Sequence, residues 1–381
     1  MHTRLRPPSD ATALTLLLGV VAILMWLYGG IDYATEPGTD LQWYRPMAQA
    51  APGWDLEMRT PFVYRPLGPW LVGLLPGPDP IGFYVSTLAG LLAVTVLLYV
   101  LLRRDDIPPG ASALAVGAFA ASPYVFGILV YNYFHIGDVL TYILLLLGLL
   151  LLYRRRWLGL AVVLALGALT RETVLLLVPT AFVYLWEQDR LRADARRMAM
   201  VVGPALALAV ALRLLADPRP GGLSLVDSLL VEGVKAFRAD TWIRLLLVAW
   251  APLGLWVVVF WEDTVAYVRA HPHRIVFAVL VFVSVFFGYD QERLFGPAFV
   301  AVVPLLGVLL ARHLLDARAP TGALVGVIAA VMLNVPSHLV ARFPLPSRTL
   351  TIVLTFTSLG LATLVAVWLR WRSSTASAPT S

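Results

Sequence analysis

Five short polar islands interrupt an otherwise apolar chain, and each carries residue types that handle protons or anions. Asp32 follows the first apolar run in Gly29-Gly30-Ile31-Asp32-Tyr33, and Asp40 lies eight residues on. A carboxylate at the lip of a membrane helix is placed to take a proton from a hydroxyl arriving from outside. Read singly, each is equally a solvated loop acid. In Tyr64-Arg65-Pro66-Leu67-Gly68-Pro69-Trp70 an arginine sits in a proline-stiffened apolar setting. Its guanidinium can hold a phosphate through two parallel bonds, or it can reach towards lipid head groups.

The other three islands are tighter. Asn132-Tyr133-Phe134-His135-Ile136-Gly137-Asp138 sets His135 and Asp138 three residues apart. On a helix they share a face and could hold a divalent ion such as Mg or Mn, or position an acceptor. One His and one Asp fall short of the three or four ligands a site needs, and Asp138 can instead stabilise a helix start. Thr170-Arg171-Glu172-Thr173 reads as an arginine with its orienting acid, or as a salt-bridged hairpin turn. Tyr289-Asp290-Gln291-Glu292-Arg293 reads as a second phosphate anchor, Arg293, flanked by the acids Asp290 and Glu292, or as a polar turn.

The elements that must position these islands are membrane helices. Of 381 residues 59% are hydrophobic and only 14% charged, and the mean hydropathy is +0.79. Arginines cluster at Arg4 and Arg6, at Arg103 and Arg104, and in 154–156, 190–197, 269–274, 312–318 and 370–372. These clusters fall at alternate gaps between apolar runs, the positive-inside pattern of a polytopic protein. The polar islands therefore share the opposite, extracytoplasmic side. The net charge of +6 is absorbed by these turns, so no basic segment remains to hold nucleic acid. With no cysteine, disulfides, thiolate metal sites and cysteine nucleophiles are excluded. Walker A, HExxH and glycine-rich cradles are also absent.

Hydropathy and length predict an all-α protein of about twelve transmembrane helices with both termini cytoplasmic. The spans fall at 11–29, 81–102, 111–130, 137–153, 157–170, 173–187, 199–215, 242–261, 275–288, 294–311, 321–335 and 350–369. The pairs 157–170/173–187 and 275–288/294–311 are either tilted helices or broken pairs. The first run is too long for a signal peptide and no A-x-A site follows. The chain reads as one transmembrane domain over 1–381, ending in a short disordered cytoplasmic tail at 370–381 without a soluble C-terminal domain. Its long first outward segment, 30–80, holds two amphipathic stretches at 41–50 and 66–75, too short to span and suited to the interface. The outward segment 216–241 reads as a lid or surface loop. Arg213 and Arg244 read as snorkelling, Arg342 and Arg348 as uninformative, and His271 and His273 as plain cytoplasmic-loop residues.

Taken together, the acid after the first helix in Gly-Gly-Ile-Asp-Tyr, Tyr64-Arg65-Pro66-Leu67, Thr170-Arg171-Glu172 and Glu292-Arg293-Leu294 resemble the GT-C superfamily of polytopic glycosyltransferases. The resemblance implies a polyprenyl-phosphate-linked sugar donor, a glycan, lipid or protein acceptor, and a bacterial plasma membrane. It puts the catalytic base on Asp32, with Asp40 as alternate. The acids in this loop are scattered rather than paired, unlike many members, which opens the acceptor type. On this reading Arg65 and Arg293, with Arg171, hold the donor phosphate, supported by Tyr64, Asp138, Glu172, Asp290 and Glu292. Direct attack gives inversion at the sugar carbon. A lipid or lipid-linked-sugar transporter, or a non-catalytic membrane scaffold, are the alternatives. A transporter should carry ionisable groups at the midplane or internal repeats.

Overall fold

The computed structural model describes residues 9–32, 39–55, 58, 61–77, 79–216, 238–287, 291–315, 319–338 and 340–376. Among the described residues there is no strand. The first helix, α1 (Asp10–Tyr28), is capped by the Ser9 hydroxyl, which accepts from the Thr12 amide, and stops at Gly29, φ +63°. A left-handed residue ends a helix there without Cβ strain. Two short helices follow, α2 (Leu41–Gln49) and α3 (Leu67–Gly73), packed on each other. Buried Leu41, Tyr44 and Ala48 form the i, i+3, i+7 stripe expected of an amphipathic helix. The Trp54 and Trp70 indoles donate to the Val63 and Gly53 carbonyls at 2.9 and 3.0 Å and fasten the segment.

The next helices are α4 (Asp79–Arg104), α5 (Pro109–Ala120), α6 (Ile128–Tyr131), α7 (Ile136–Tyr153), α8 (Trp157–Ala168), α9 (Leu177–Glu187) and α10 (Leu191–Leu215). After them come α11 (Ala239–Trp242), α12 (Trp256–Val259), α13 (Trp261–Ala270), α14 (Pro272–Ser284), α15 (Gln291–Phe295), α16 (Phe299–Leu309), α17 (Thr321–Asn334) and α18 (Arg348–Ala376). Among the described residues six helices are long and apolar enough to cross a bilayer, or eight if the pairs bent by 60° after Ala120 and 101° after Ala270 each count once. Large apolar side chains face outward, among them Leu16, Ile23, Leu158, Met200 and Leu214, all at least 60% exposed. A water-facing surface of that kind would aggregate, whereas lipid suits it. The chain is a multi-pass α-helical membrane protein.

The about twelve runs expected from hydropathy do not map one-to-one onto long helices. α8 and α17 are short. The run 242–261 is a π-helical turn, then turns through Pro252 and Gly254, then α12, because a proline cannot donate to the helix ladder. The end of the chain also corrects the expected tail. α18 continues to Ala376, with Ser373, Ser374 and Thr375 hydroxyls donating back to carbonyls three residues earlier. The residues 377–381 lie outside the described residues.

Side-chain contacts sort the bundle into two ends. At one end Asp10 pairs with Arg103, Arg104 lies over the Tyr153 ring, Arg312 pairs with Asp263 and Arg370 with Glu262. The start of α1 and the end of α18 therefore lie on the same side. Here the plain-loop reading of His273 gives way. Fully buried Arg274 pairs with Asp105 at 2.6 Å and donates to the Tyr153 and Tyr267 hydroxyls at 3.2 and 2.6 Å. His273 Nδ1 meets Glu187 at 2.8 Å and its Nε2 meets Tyr153 Oη at 2.8 Å. This polar knot ties the ends of α4, α7 and α9 to α13 and α14. The polar islands lie at the opposite end.

Candidate functional site

The backbone brings the first outward segment onto two turns. The Ile31 amide donates to the Tyr131 carbonyl at 2.9 Å, and the Leu67 amide to the Leu169 carbonyl at 3.2 Å. A Cβ on Gly30 would stand 3.0 Å from the Tyr133 ring and 3.3 Å from Tyr84, so only glycine permits this approach without displacing the rings. Asp32 thereby sits exposed beside Tyr133, whose hydroxyl burial, with the Asp32 charge, pushes up to about 12.

Asp40 flanks the same 131–136 turn. Its Oδ2 lies 3.6 Å from His135 Nε2 and accepts from Arg293 Nη1 at 3.2 Å. Arg293 also donates through Nε and Nη2 to Asp138 Oδ2 at 3.0 and 2.6 Å. The other Asp138 oxygen contacts the Arg171 guanidinium. Asp138, Arg171 and Arg293 are all at least nine-tenths buried. The result is a continuous chain, Arg171–Asp138–Arg293–Asp40–His135. His135 is held neutral, because burial first, then Arg293 and Arg171, push its pKa well below the usual range. Its Nδ1 is buried without a hydrogen-bond partner.

Glu172 extends this chain sideways. It accepts from Arg65 at 3.1 Å and from Arg213 at 2.9 Å, and the Arg213 guanidinium lies 5.1 Å from the Tyr64 ring centroid. Burial pushes the Glu172 carboxyl up, but Arg65, Arg213 and Arg171 outweigh it and hold it at about 2. Four guanidiniums thus face three carboxylates across five segments distant in sequence. Of these, Arg171 and Arg293 are buried, and fixed, water-poor cationic groups of that kind stabilise charge that develops on a leaving anion.

The structure therefore brings together Asp40, Tyr64, Arg65, His135, Asp138, Arg171, Glu172 and Arg293, with Asp32 on the far side of the 131–136 turn. Asp290 and the Glu292 side chain lie outside the described residues. The predicted His135–Asp138 pair does not present a free ligand set, since both Asp138 oxygens carry guanidiniums. Among the described residues no group of three or more His, Cys, Asp or Glu is arranged to hold a metal ion. Arg213 was missed because a lone arginine at a helix end has the sequence signature of snorkelling. Only its partner Glu172 reveals its role.

Beside this network, on the Gln291 side, lies a cavity of about 550 Å³. Arg238, Arg244 and Arg348 line it against one carboxylate, Asp240, with Gln291, His338 and Thr355.

No protein-family model matches this chain, and no curated protein does. Two solved structures share its fold. ArnT from Cupriavidus metallidurans in the apo state superposes with a TM-score of 0.55 at 16% identity, covering 94% of this chain and 77% of that one. The same protein bound to undecaprenyl phosphate gives 0.52 at 14% identity, covering 94% and 78%.

Proposed function

We propose that this chain is an integral-membrane glycosyltransferase, moving a sugar from a polyprenyl-phosphate-linked donor to a glycan, lipid or protein acceptor. One observation carries the reading: buried Arg171 and Arg293 converge on buried Asp138, and Arg65 and Arg213 meet Glu172 at the same end of the bundle. The shared fold with ArnT, whose solved structure holds undecaprenyl phosphate, agrees with it. So does the GT-C resemblance of the polar islands.

In the proposed reaction an acceptor hydroxyl attacks the anomeric carbon from the side opposite the phosphate, and the configuration inverts. The hydroxyl proton passes to Asp32, the C–O bond to the phosphate breaks, and both electrons leave with the lipid phosphate. Asp32 is preferred to Asp40 as base because it is exposed and because the GT-C resemblance puts the base on the acid that follows the first helix. We place this end on the extracytoplasmic face of a bacterial plasma membrane. We also propose that the arginines, rather than a divalent ion on His135 and Asp138, take the developing charge. The gathering of the charges at one end of the bundle favours a transferase over a transporter, whose ionisable groups belong at midplane.

The test is transfer of radiolabelled sugar from a panel of polyprenyl-phosphate sugars by the full chain in nanodiscs. Asp32→Asn should lower kcat at least about 100-fold, and EDTA should leave wild-type transfer intact. Full activity in Asp32→Asn would remove the base assignment. No transfer from any donor, with donor binding retained, would favour the transporter.

A further inference from the structure

The arginines at the knot end fall into two groups. Arg103, Arg274, Arg312 and Arg370 each meet a carboxylate, on Asp10, Asp105, Asp263 and Glu262 in turn. Two neighbouring turns depart from that rule. The α7–α8 turn carries Arg154, Arg155 and Arg156, and the α9–α10 turn with the start of α10 carries Arg190, Arg192 and Arg196. None of these six pairs with a carboxylate among the described residues, and all are exposed except half-buried Arg155. Of the acids nearby, Glu187 is taken by His273 and Asp194 by Arg197, which leaves Asp189. Membrane orientation asks for positive charge at this end, but it does not ask that the charge be paired in one place and unpaired in another. Arg192 and Arg196 stand one helical turn apart, where like charges repel. Arg155 sits at φ +54°, in the turn where the Arg156 amide donates to the Leu151 carbonyl at 2.9 Å and closes α7. Glycine fills such a left-handed position without strain, yet here it holds a guanidinium.

The two turns open side by side. α8 packs against both α7 and α10. It runs alongside α10 in the same direction, since Glu172, just past its end, meets Arg213 in the last turn of α10. Their level in the membrane is marked by tryptophans, which favour the head-group region. Trp157 follows Arg156 directly, and Trp186, 64% exposed, precedes Arg190 by one turn. Next to the arginines Leu158 and Val162 of α8 and Met200 of α10 are 81%, 51% and 60% exposed. The guanidiniums therefore border an open apolar wall. A soluble polyanion would meet the arginines and leave that wall unused, whereas an anionic phospholipid meets both.

We propose that the α7–α8 and α9–α10 turns seat the phosphate head of an anionic phospholipid in the leaflet at the knot end, its acyl chains lying along Leu158, Val162 and Met200. Guanidinium forks suit its phosphate oxygens. By the positive-inside bias that leaflet is the cytoplasmic one. The site lies at the opposite end from the ion-pair network and does not rest on the transferase reading.

The experiment places the full chain in phosphatidylcholine nanodiscs and titrates in phosphatidylglycerol brominated on its acyl chains, read by quenching of tryptophan fluorescence. Comparison arms use brominated phosphatidylcholine and soluble polyphosphate. Phosphatidylglycerol should reach half-quenching at a mole fraction at least about tenfold lower than phosphatidylcholine. Trp186→Phe, which removes the exposed reporter of the α9–α10 turn, should shrink the amplitude. An arginine near an anionic lipid contributes roughly fivefold, so the Arg192→Gln/Arg196→Gln double variant should weaken binding more than about tenfold. Arg155→Gly removes a guanidinium while easing the left-handed backbone. It should weaken binding several-fold yet melt at or above the wild-type temperature, which separates lost binding from lost fold. Arg269→Gln, an exposed arginine of α13 at the same end but outside the site, should bind as wild type. Equal quenching by phosphatidylcholine would overturn the proposal. So would an Arg269→Gln loss as large as that of the double variant, which would mean diffuse attraction without a site. Polyphosphate binding with the same arginine dependence, and no preference for phosphatidylglycerol, would assign the patch to a soluble polyanion instead.

Discussion

At Asp138 a single carboxylate keeps two buried guanidiniums in place. Removing one partner of a buried ion pair leaves an uncompensated charge and costs about 3–5 kcal/mol. Asp138→Ala should therefore melt well below wild type in detergent, by thermal-shift measurement, and should lose donor transfer as Arg171 and Arg293 reorient. Wild-type melting would mean that the network is looser than its distances indicate. His135 gives a pH signature. Its folded pKa is depressed, chiefly by burial, whereas the unfolded imidazole takes a proton near pH 6.5. Below that pH folding must expel the proton, at about 1.4 kcal/mol per pH unit. Stability should fall from pH 7 to pH 5, and His135→Gln should flatten part of that slope. An unchanged slope would show that His135 protonates in the folded state. The sequence announced both residues through their spacing, which left a weak metal pair, an acceptor-positioning role and a helix-start role for Asp138 open. Their actual partners, Asp40, Arg171 and Arg293, come from remote segments that one sequence cannot pair.

Among the elements, the amphipathic stretches 41–50 and 66–75 emerge as α2 and α3 almost to the residue. There an apolar stripe, bounded by prolines and glycines, is a local signal. The bend between α13 and α14 is a different case. Hydropathy finds the apolar part of α14 but not α13, a polar helix whose stability comes from what Arg274 grips. Arginines 269 to 274 look like one cytoplasmic cluster, but Arg274 is fully buried against Asp105, Tyr153 and Tyr267. Arg274→Lys should not rescue what Arg274→Gln loses. A lysine ammonium cannot reproduce the fork that reaches two tyrosines and a carboxylate together. Both variants should lower the melting temperature by several degrees, corresponding to about 3–5 kcal/mol for the uncompensated case. Melting of either variant at the wild-type temperature would show the knot to be dispensable.

For the whole molecule, the arginine clusters that organise the sequence also organise the structure. The Arg103, Arg274, Arg312 and Arg370 contacts gather at the end that holds the start of α1 and the end of α18. At the other end Arg65, Arg171, Arg213 and Arg293 meet the carboxylates of the candidate site, Arg238, Arg244 and Arg348 line the neighbouring cavity, and Arg342 lies over the Trp26 ring. The positive-inside bias orients a membrane protein by its short loops, so the knot should face the cytoplasm and the ion-pair network the outside. The chain contains no cysteine, which makes single-cysteine labelling clean. Pro344→Cys and Ser373→Cys each replace an exposed residue, one beside the network end and one at the knot end. In intact cells a membrane-impermeant maleimide should label the first and spare the second until the membrane is opened. The reverse result would put Asp32 and the cavity on the cytoplasmic side. The phosphate-binding chemistry would then survive, but the donor would have to be presented from the inner leaflet, and the acceptor would have to be a cytoplasmic one.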